Sequence, residues 1–398
     1  MKILDNGMCS ISSIKVNGYR EGKYGVAIIY HENTTAVGVY TTNKVYAAPI
    51  DITRKHLENG NISAVIINSG NANCYTREDG IKRGLELAQV AADYLNIPLE
   101  DIAVASTGVI GRQMPLDILK PIAEESLKNL GNSRENITLA EKAIMTTDTV
   151  PKECAVESKL EDGTVFKVGG FCKGSGMIAP NMGTMLGFVA TDLELPSDVL
   201  QKALKKAVKK SFNMVVVDGD ESTNDTVLLL STNDVKGNYD SNFQEALDYV
   251  CMSLAKQIAK DGEGAEKFLE VTCDGAKTED DAITVSKSVV SSSLVKTAVA
   301  GADPNWGRII SAMGYSGVEF NPDIVSISIA DKQNECVIVD KGTVKTYEQP
   351  EKLEFAEEIM KSEDIFITVN LHDGDCSATA YGCDLTYEYV RINAEYTT

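Results

Sequence analysis

The chain has 398 residues, 43% hydrophobic and 24% charged, a length that supports two or three domains and a large core. That balance excludes a mostly disordered chain and a membrane bundle, and no stretch approaches the roughly 18 consecutive apolar residues of a spanning helix. With 38 basic against 58 acidic residues the net charge is -20, which repels a phosphate backbone. The longest basic stretch, KKAVKK at 205–210, lies in a helical pattern and reads as a solvated face, so nucleic acid is not an expected partner.

The opening, MKILDNGMCSISSIKVNGYREGK, has no apolar run long enough for a signal peptide, and the expectation is a soluble cytoplasmic protein. Nine cysteines, at 9, 74, 154, 172, 251, 273, 336, 376 and 383, include no C-x-x-C pair. This argues against a disulfide framework and against a zinc ribbon. Three histidines, His31, His56 and His372, lie far apart. A histidine-rich metal site is nearly excluded, and the chemistry is not expected to rest on imidazole.

Taken in chain order, YGVAIIYH (24–31) and TAVGVYTT (35–42) have the β-branched and aromatic content of strands. SAVIINSGNAN (63–73) reads as a buried strand entering a polar loop. Apolar spacing then predicts a helix over 78–95. IAVASTGVIG (102–111) is a strand ending at a Ser-Thr-Gly turn, and helical spacing returns at 115–130 and 137–146. In the second half an amphipathic helix over 197–212 precedes a strand MVVVD (214–218), and a further helix covers 242–260. Then come strands DIVSISIAD (323–331) and ECVIVD (335–340), a helix over 351–360, a strand IFITVNL (365–371) and strand-like segments to the end. The expected class is α/β, with α+β equally compatible with the pattern and more than one sheet.

The densest run of small and polar residues is GGFCKGSGMIAPNMGTMLGF (169–188). A phosphate loop is disfavoured, because Lys173 precedes its glycines and neither the Walker order nor G-x-G-x-x-G occurs. A plain structural turn is a second reading. The third is chemical: the Thr184 hydroxyl attacks the Gly183 carbonyl, an N→O shift gives an ester, and hydrolysis frees a chain beginning at Thr184. The new α-amine, with a pKa of about 8, would be that threonine's own general base.

KGSGMIAPNMGTMLGF resembles the cleavage and nucleophile segment of the ornithine acetyltransferase family, also called glutamate N-acetyltransferase. Other segments agree in order: TTNKVYAAP (41–49), NSGNAN (68–73), STGVIG (106–111), IMTTDTVPK (144–152), DGDESTNDT (218–226), DGEGA (261–265), GADPNWGRI (301–309) and the final NAEYTT. Two departures are Gly183, where the family commonly has Ala, and an opening over residues 1–18 without the family's usual motif.

The resemblance implies a self-cleaved enzyme with an α chain, 1–183, and a β chain, 184–398, that begins with the nucleophile. The implied reaction moves acetyl from N-acetylornithine to glutamate in arginine biosynthesis, through acetyl-Thr184 and with ping-pong kinetics. The implied oxyanion donors are Thr107 and Gly108, and the substrate contacts are Thr147, Lys173, Thr184, Glu263, Asn393 and Thr398. Thr147 and its neighbour Thr146 are not distinguished. Lys173 suits the substrate α-carboxylate and Glu263 its ammonium. No cofactor or metal is implied; acetyl-CoA is a possible second donor, and the expected particle is a heterotetramer of two α and two β chains. DGDESTNDT, lacking the glycine and terminal glutamate of an EF-hand loop, reads as a polar loop near the site. Trp306 reads as core packing beside a helix start. A hydrolase using the same threonine, and a binding protein without chemistry, are the competing classes.

Overall fold

Runs of apolar and β-branched residues pair into two mixed sheets flanked by amphipathic helices. The computed structural model describes residues 1–179 and 185–395. Among these residues one sheet has nine strands and the other seven, giving a mixed α/β architecture.

The larger sheet runs in the order Lys2–Leu4, Lys152–Lys159, Val165–Lys173, Leu186–Glu194, Thr226–Lys236, Tyr24–Tyr40, Asn61–Ser69, Ile102–Ser106, with Lys15–Glu21 also paired to Tyr24–Tyr40. Two of its pairings are parallel: Leu186–Glu194 with Thr226–Lys236, and Asn61–Ser69 with Ile102–Ser106. The smaller sheet runs Thr343–Val344, Glu335–Asp340, Ser326–Ala330, Asp364–Asn370, Phe268–Ala276, Cys376–Cys383, Val215–Val216. Helix Ser241–Lys260 packs on both: it buries Phe243, Leu247, Val250 and Leu254, which share one core with Phe166 and Val168 of the large sheet and Leu269 and Val271 of the small one.

The segments read as two early strands are one, Tyr24–Tyr40. The polar run between them does not turn the chain. Asn33, at φ 69°, takes up a register shift against Asn61–Ser69, and the strand continues beyond it. MVVVD contributes only Val215–Val216 to a sheet. The expectation of strands to the C-terminus is corrected: after Cys376–Cys383 comes a helix, Tyr387–Glu395. Its tyrosines and Val390 look strand-like, yet the Thr386 hydroxyl accepts the Glu388 N–H and Glu388 pairs with Arg391 one turn on. The helix buries none of its residues, so it leaves no burial pattern for sequence to reveal.

Elsewhere the periodicities agree. Helix Ser197–Lys210 buries Leu200, Ala203, Leu204, Ala207 and Val208 and leaves all four lysines of KKAVKK exposed. Trp306 opens helix Trp306–Gly314 under an Asn305 cap, half-buried against the core and edge-on to Tyr347. All nine cysteines are unpaired. Among the described residues no helix is long and apolar enough to cross a membrane.

Candidate active site

Two parallel strands of the large sheet, Asn61–Ser69 and Ile102–Ser106, deliver their C-terminal ends side by side, Asn68 opposite Ser106. The Ser106 hydroxyl donates to Asn68 Oδ1 at 2.6 Å and the Thr107 N–H to the Asn68 carbonyl at 2.9 Å. With its amide engaged there, Thr107 offers its hydroxyl to the cleft. Gly108 follows at φ +128°, and a Cβ there would come 2.4 Å from the Gly70 carbonyl carbon and 2.6 Å from the Asn71 nitrogen. Only glycine lets the two turns approach so closely. Asn224 ties them from a third direction, its side-chain amide donating to the Ala72 carbonyl at 2.6 Å and the Ser106 carbonyl at 2.8 Å.

Facing this turn is a buried charge network. The Lys173 ammonium, 2% exposed, donates to the Thr146 hydroxyl at 2.8 Å and reaches the Thr107 hydroxyl at 3.5 Å and Asp148 Oδ2 at 3.6 Å. Asp148 also accepts the Gly174 N–H at 2.7 Å, the Thr146 N–H at 3.0 Å and Lys152 Nζ at 2.8 Å. Lys152, wholly buried, bridges on to Asp261 Oδ2 at 2.5 Å. Burial alone would raise the Asp148 carboxyl. The two lysines outweigh burial and hold it well below the ordinary carboxylate range. Burial would likewise lower Lys152, and its two carboxylates outweigh that and raise it.

The opposite wall carries Glu263. Its backbone N–H donates to the Ser175 carbonyl at 2.9 Å, and its carboxylate accepts the Asn393 amide at 2.7 Å. Gly176 makes room for it: a Cβ there would lie 2.2 Å from the Glu263 carboxyl carbon. The terminal helix is anchored a second time by the Tyr389 hydroxyl, which donates to Asp218 at 3.2 Å. Asp218 also accepts the Met177 and Ile178 N–H groups at 2.7 and 2.9 Å.

The residues expected from sequence therefore converge. Thr107, Gly108, Thr147, Lys173, Glu263 and Asn393 line one cleft of about 80 Å³, together with Thr146. Of the two threonines, Thr146 is the one bonded to Lys173, while both face the cleft. Gly183, Thr184 and Thr398 lie outside the described residues; the flanking Ala179 and Met185 are buried. The DGDESTNDT loop holds backbone rather than metal, since Asp218 and Asp225 both accept backbone N–H groups. Among the described residues no group of three or more His, Cys, Asp or Glu side chains is arranged to hold a metal. No histidine lines the cleft: His56 is buried against the Ile102 carbonyl, His372 bonds Ser326, and His31 neighbours Asp234.

Sequence reasoning missed Asp148, Lys152, Asp261, Asn224 and Tyr389 as parts of the site. The first three sit inside IMTTDTVPK and DGEGA, where D-x-x-x-K and an acid at a helix end carry no signal of burial.

Chemically, the cleft sets a hydroxyl and a glycine turn beside a buried cation, with a carboxylate opposite. Such a place suits a small zwitterionic substrate whose carbonyl becomes an oxyanion. The model of the ArgJ family matches residues 11–398. A protein of Methanothermobacter thermautotrophicus named glutamate N-acetyltransferase is 49% identical over 398 residues, covering 100% of this chain and 99% of its own. One of the same name from Methanocaldococcus jannaschii is 50% identical over 407 residues, covering 100% of both. The crystal structure of the arginine biosynthesis bifunctional protein ArgJ of Bacillus halodurans is 43% identical, with a TM-score of 0.49 over 54% of this chain and 100% of that one. The family model spans nearly the whole chain and both named relatives match it end to end at about half identity, so the chain belongs to the ArgJ family.

Proposed function

We propose that this protein is a glutamate N-acetyltransferase that moves acetyl from N-acetylornithine to glutamate in arginine biosynthesis. The observation that carries the reading is the single cleft in which Thr107 and Gly108 face Lys173 on one side and Glu263 on the other. The names of the full-length relatives support it.

The chain first cuts itself. Thr184 Oγ attacks the Gly183 carbonyl carbon, the C–N bond breaks as its nitrogen gains a proton, and water hydrolyses the resulting ester. This leaves an α chain, 1–183, and a β chain, 184–398. In turnover the Thr184 hydroxyl, its proton taken by the free α-amine, attacks the acetamide carbonyl. The tetrahedral oxyanion accepts hydrogen bonds from the Thr107 hydroxyl and the Gly108 N–H. Lys173, 3.5 Å from that hydroxyl, polarises it and makes it a stronger donor. Collapse expels the ornithine amine with a proton from the α-ammonium, and the glutamate amine then takes the acetyl group from the ester.

Glu263 pairs with the substrate ammonium, with Asn393 steadying its carboxylate. The substrate α-carboxylate lies near Lys173, Thr146 and Thr147. The Lys173 ammonium has three partners, and its longest contact, to Asp148 at 3.6 Å, is the one a substrate carboxylate would displace while the contact to Thr107 stays. Thr398 completes the substrate contacts, and two processed protomers form the heterotetramer. Acetyl-CoA as a second donor is an extension of the same ester chemistry.

The test is acceptor dependence in purified protein. Acetylornithine should be consumed only when glutamate is present, and intact mass should show two fragments divided at 183/184. Consumption without glutamate would identify a hydrolase instead, and a full-length species that transfers acetyl would remove the self-cleavage step. Separate assays with acetyl-CoA decide whether it is a donor, and light scattering decides the assembly.

A further inference from the structure

We infer that Asp225 is the positioning residue for the nucleophile, clamping the peptide that follows residue 184 and fixing it relative to the oxyanion turn. The inference rests on the reading of Thr184 as nucleophile. Asp225 is wholly buried, and its Oδ1 accepts the Met185 N–H at 2.8 Å. That N–H belongs to the planar peptide joining residues 184 and 185, so holding it fixes the plane from which residue 184 departs. The Met185 carbonyl in turn accepts the Thr226 N–H at 3.3 Å, closing a short ring around the start of strand Leu186–Glu194.

The clamp is anchored to the other half of the site. Asn224, next in chain, bonds the Ser106 and Ala72 carbonyls, immediately before and beside Thr107. Thr41 holds the same segment from outside: its N–H donates to the Asp225 carbonyl at 3.0 Å and its hydroxyl to the Ser222 carbonyl at 2.7 Å. One four-residue stretch, Ser222–Asp225, therefore joins Met185 and the oxyanion turn through hydrogen bonds of ordinary length.

The chemistry of the carboxyl fits a clamp rather than a base. Burial holds it well above the ordinary carboxylate range, and the hydrogen bond from Met185 and the charge of Lys173 offset only part of that. Its Oδ2 has no hydrogen-bond partner among the described residues. The clamp needs only an oxygen acceptor at the position of Oδ1, and a side-chain amide presents one to the Met185 N–H just as well.

The test compares Asp225→Asn with Asp225→Ala in the full-length protein. The amide should preserve cleavage and turnover, with kcat within roughly threefold of wild type. The alanine should leave KM within roughly threefold and lower kcat about 10²-fold, the loss typical of a displacement near 1 Å, and self-cleavage should slow with it. If Asp225→Asn is impaired as much as Asp225→Ala, an ionised carboxylate is required and the inference is wrong. Unchanged kcat in Asp225→Ala would also overturn it. Should the alanine variant not fold, Asp225→Glu replaces it: one added methylene displaces the clamp and should lower kcat, and wild-type kcat there would be equally fatal. Wild-type protein found uncut by intact mass would instead refute the Thr184 reading, a failure distinct from that of the clamp.

Discussion

Replacing Lys152 with Met tests whether the charge network behind the cleft is a balanced unit. Four buried side chains take part, two cationic (Lys152, Lys173) and two anionic (Asp148, Asp261), so the wild-type set is neutral. Lys152→Met keeps most of the volume and removes one positive charge, leaving two carboxylates to share Lys173. Breaking a buried ion pair typically costs about 3–5 kcal/mol, because the abandoned charge stays buried. Backbone donors remain: Thr146 and Gly174 bond Asp148, and Thr149 bonds Asp261. They place the expected loss near the lower end, about 3 kcal/mol. The double variant Lys152→Met/Asp261→Asn restores neutrality and should recover more than about 1 kcal/mol of it, as contacting sites couple. Urea unfolding of the purified protein at neutral pH reads both values from the midpoints. A single-variant loss below about 1 kcal/mol, or a double variant no better than the single, would refute the argument.

The pH window follows from the same groups. Asp148 is depressed below its ordinary 3.8, so its contribution is present above that value and lost as pH falls through the folded one. Lys152 is raised above its ordinary 10.5, so its contribution is complete below that value and lost at still higher pH.

Thr107→Ala should lower kcat by about 10²–10³ with little change in KM, since an oxyanion donor acts mainly in the transition state; steady-state kinetics reads the split, and a rise in KM alone would make Thr107 a binding residue. Glu263→Gln keeps the Asn393 contact and loses the charge, so KM for acetylornithine should rise more than kcat falls. Gly108→Ala meets both a positive φ and the Gly70–Asn71 backbone, so it should displace the turn and lower turnover about 10²-fold, with a lower Tm. Glu141, 1% exposed, is pushed up to about 8 by burial and by Glu153 beside it. It keeps its proton in the fold and would lose it near 4.5 when unfolded, so wild-type stability should decline as pH rises from 4.5 to about 8, and Glu141→Gln should flatten a Tm series across that window.

What was legible in the sequence followed from two kinds of signal. Amphipathic helices such as Ser197–Lys210 bury one face, and burial leaves a period. The site residues were legible through ordered motifs, because Thr107, Gly108, Lys173, Glu263 and Asn393 each sit in a distinctive segment. Strands Lys152–Lys159 and Val165–Lys173 went unread, and both lie where local composition misleads. KECAVESK is half charged, and VFKVGGFCK runs into glycines that look like loop. Lys152 shows the deeper limit. In sequence it is one lysine among 38 basic residues, and only the fold carries Asp261 from 109 residues away onto its ammonium.

The strand order also decides what a cut at 183/184 would do. Strands Leu186–Glu194 and Thr226–Lys236, from after the bond, stand between Val165–Lys173 and Tyr24–Tyr40, from before it. The first boundary pairs Val168 with Thr191 through Lys173 with Leu186, and the second pairs Thr226 with Tyr40 through Ser231 with Thr35. Separating the fragments would therefore open the large sheet along two internal ladders and expose Phe171, Phe188, Leu228 and Leu230, all buried in one core. The cleft divides the same way, with Thr107, Thr146 and Lys173 from one side of the bond and Asn224, Glu263 and Asn393 from the other. Scission there would thus create a new terminus without releasing either piece. Fragments 1–183 and 184–398 produced apart should be insoluble or unfolded singly, and activity should return only on co-expression; a folded, soluble 1–183 fragment would contradict the interleaved sheet as the source of their association.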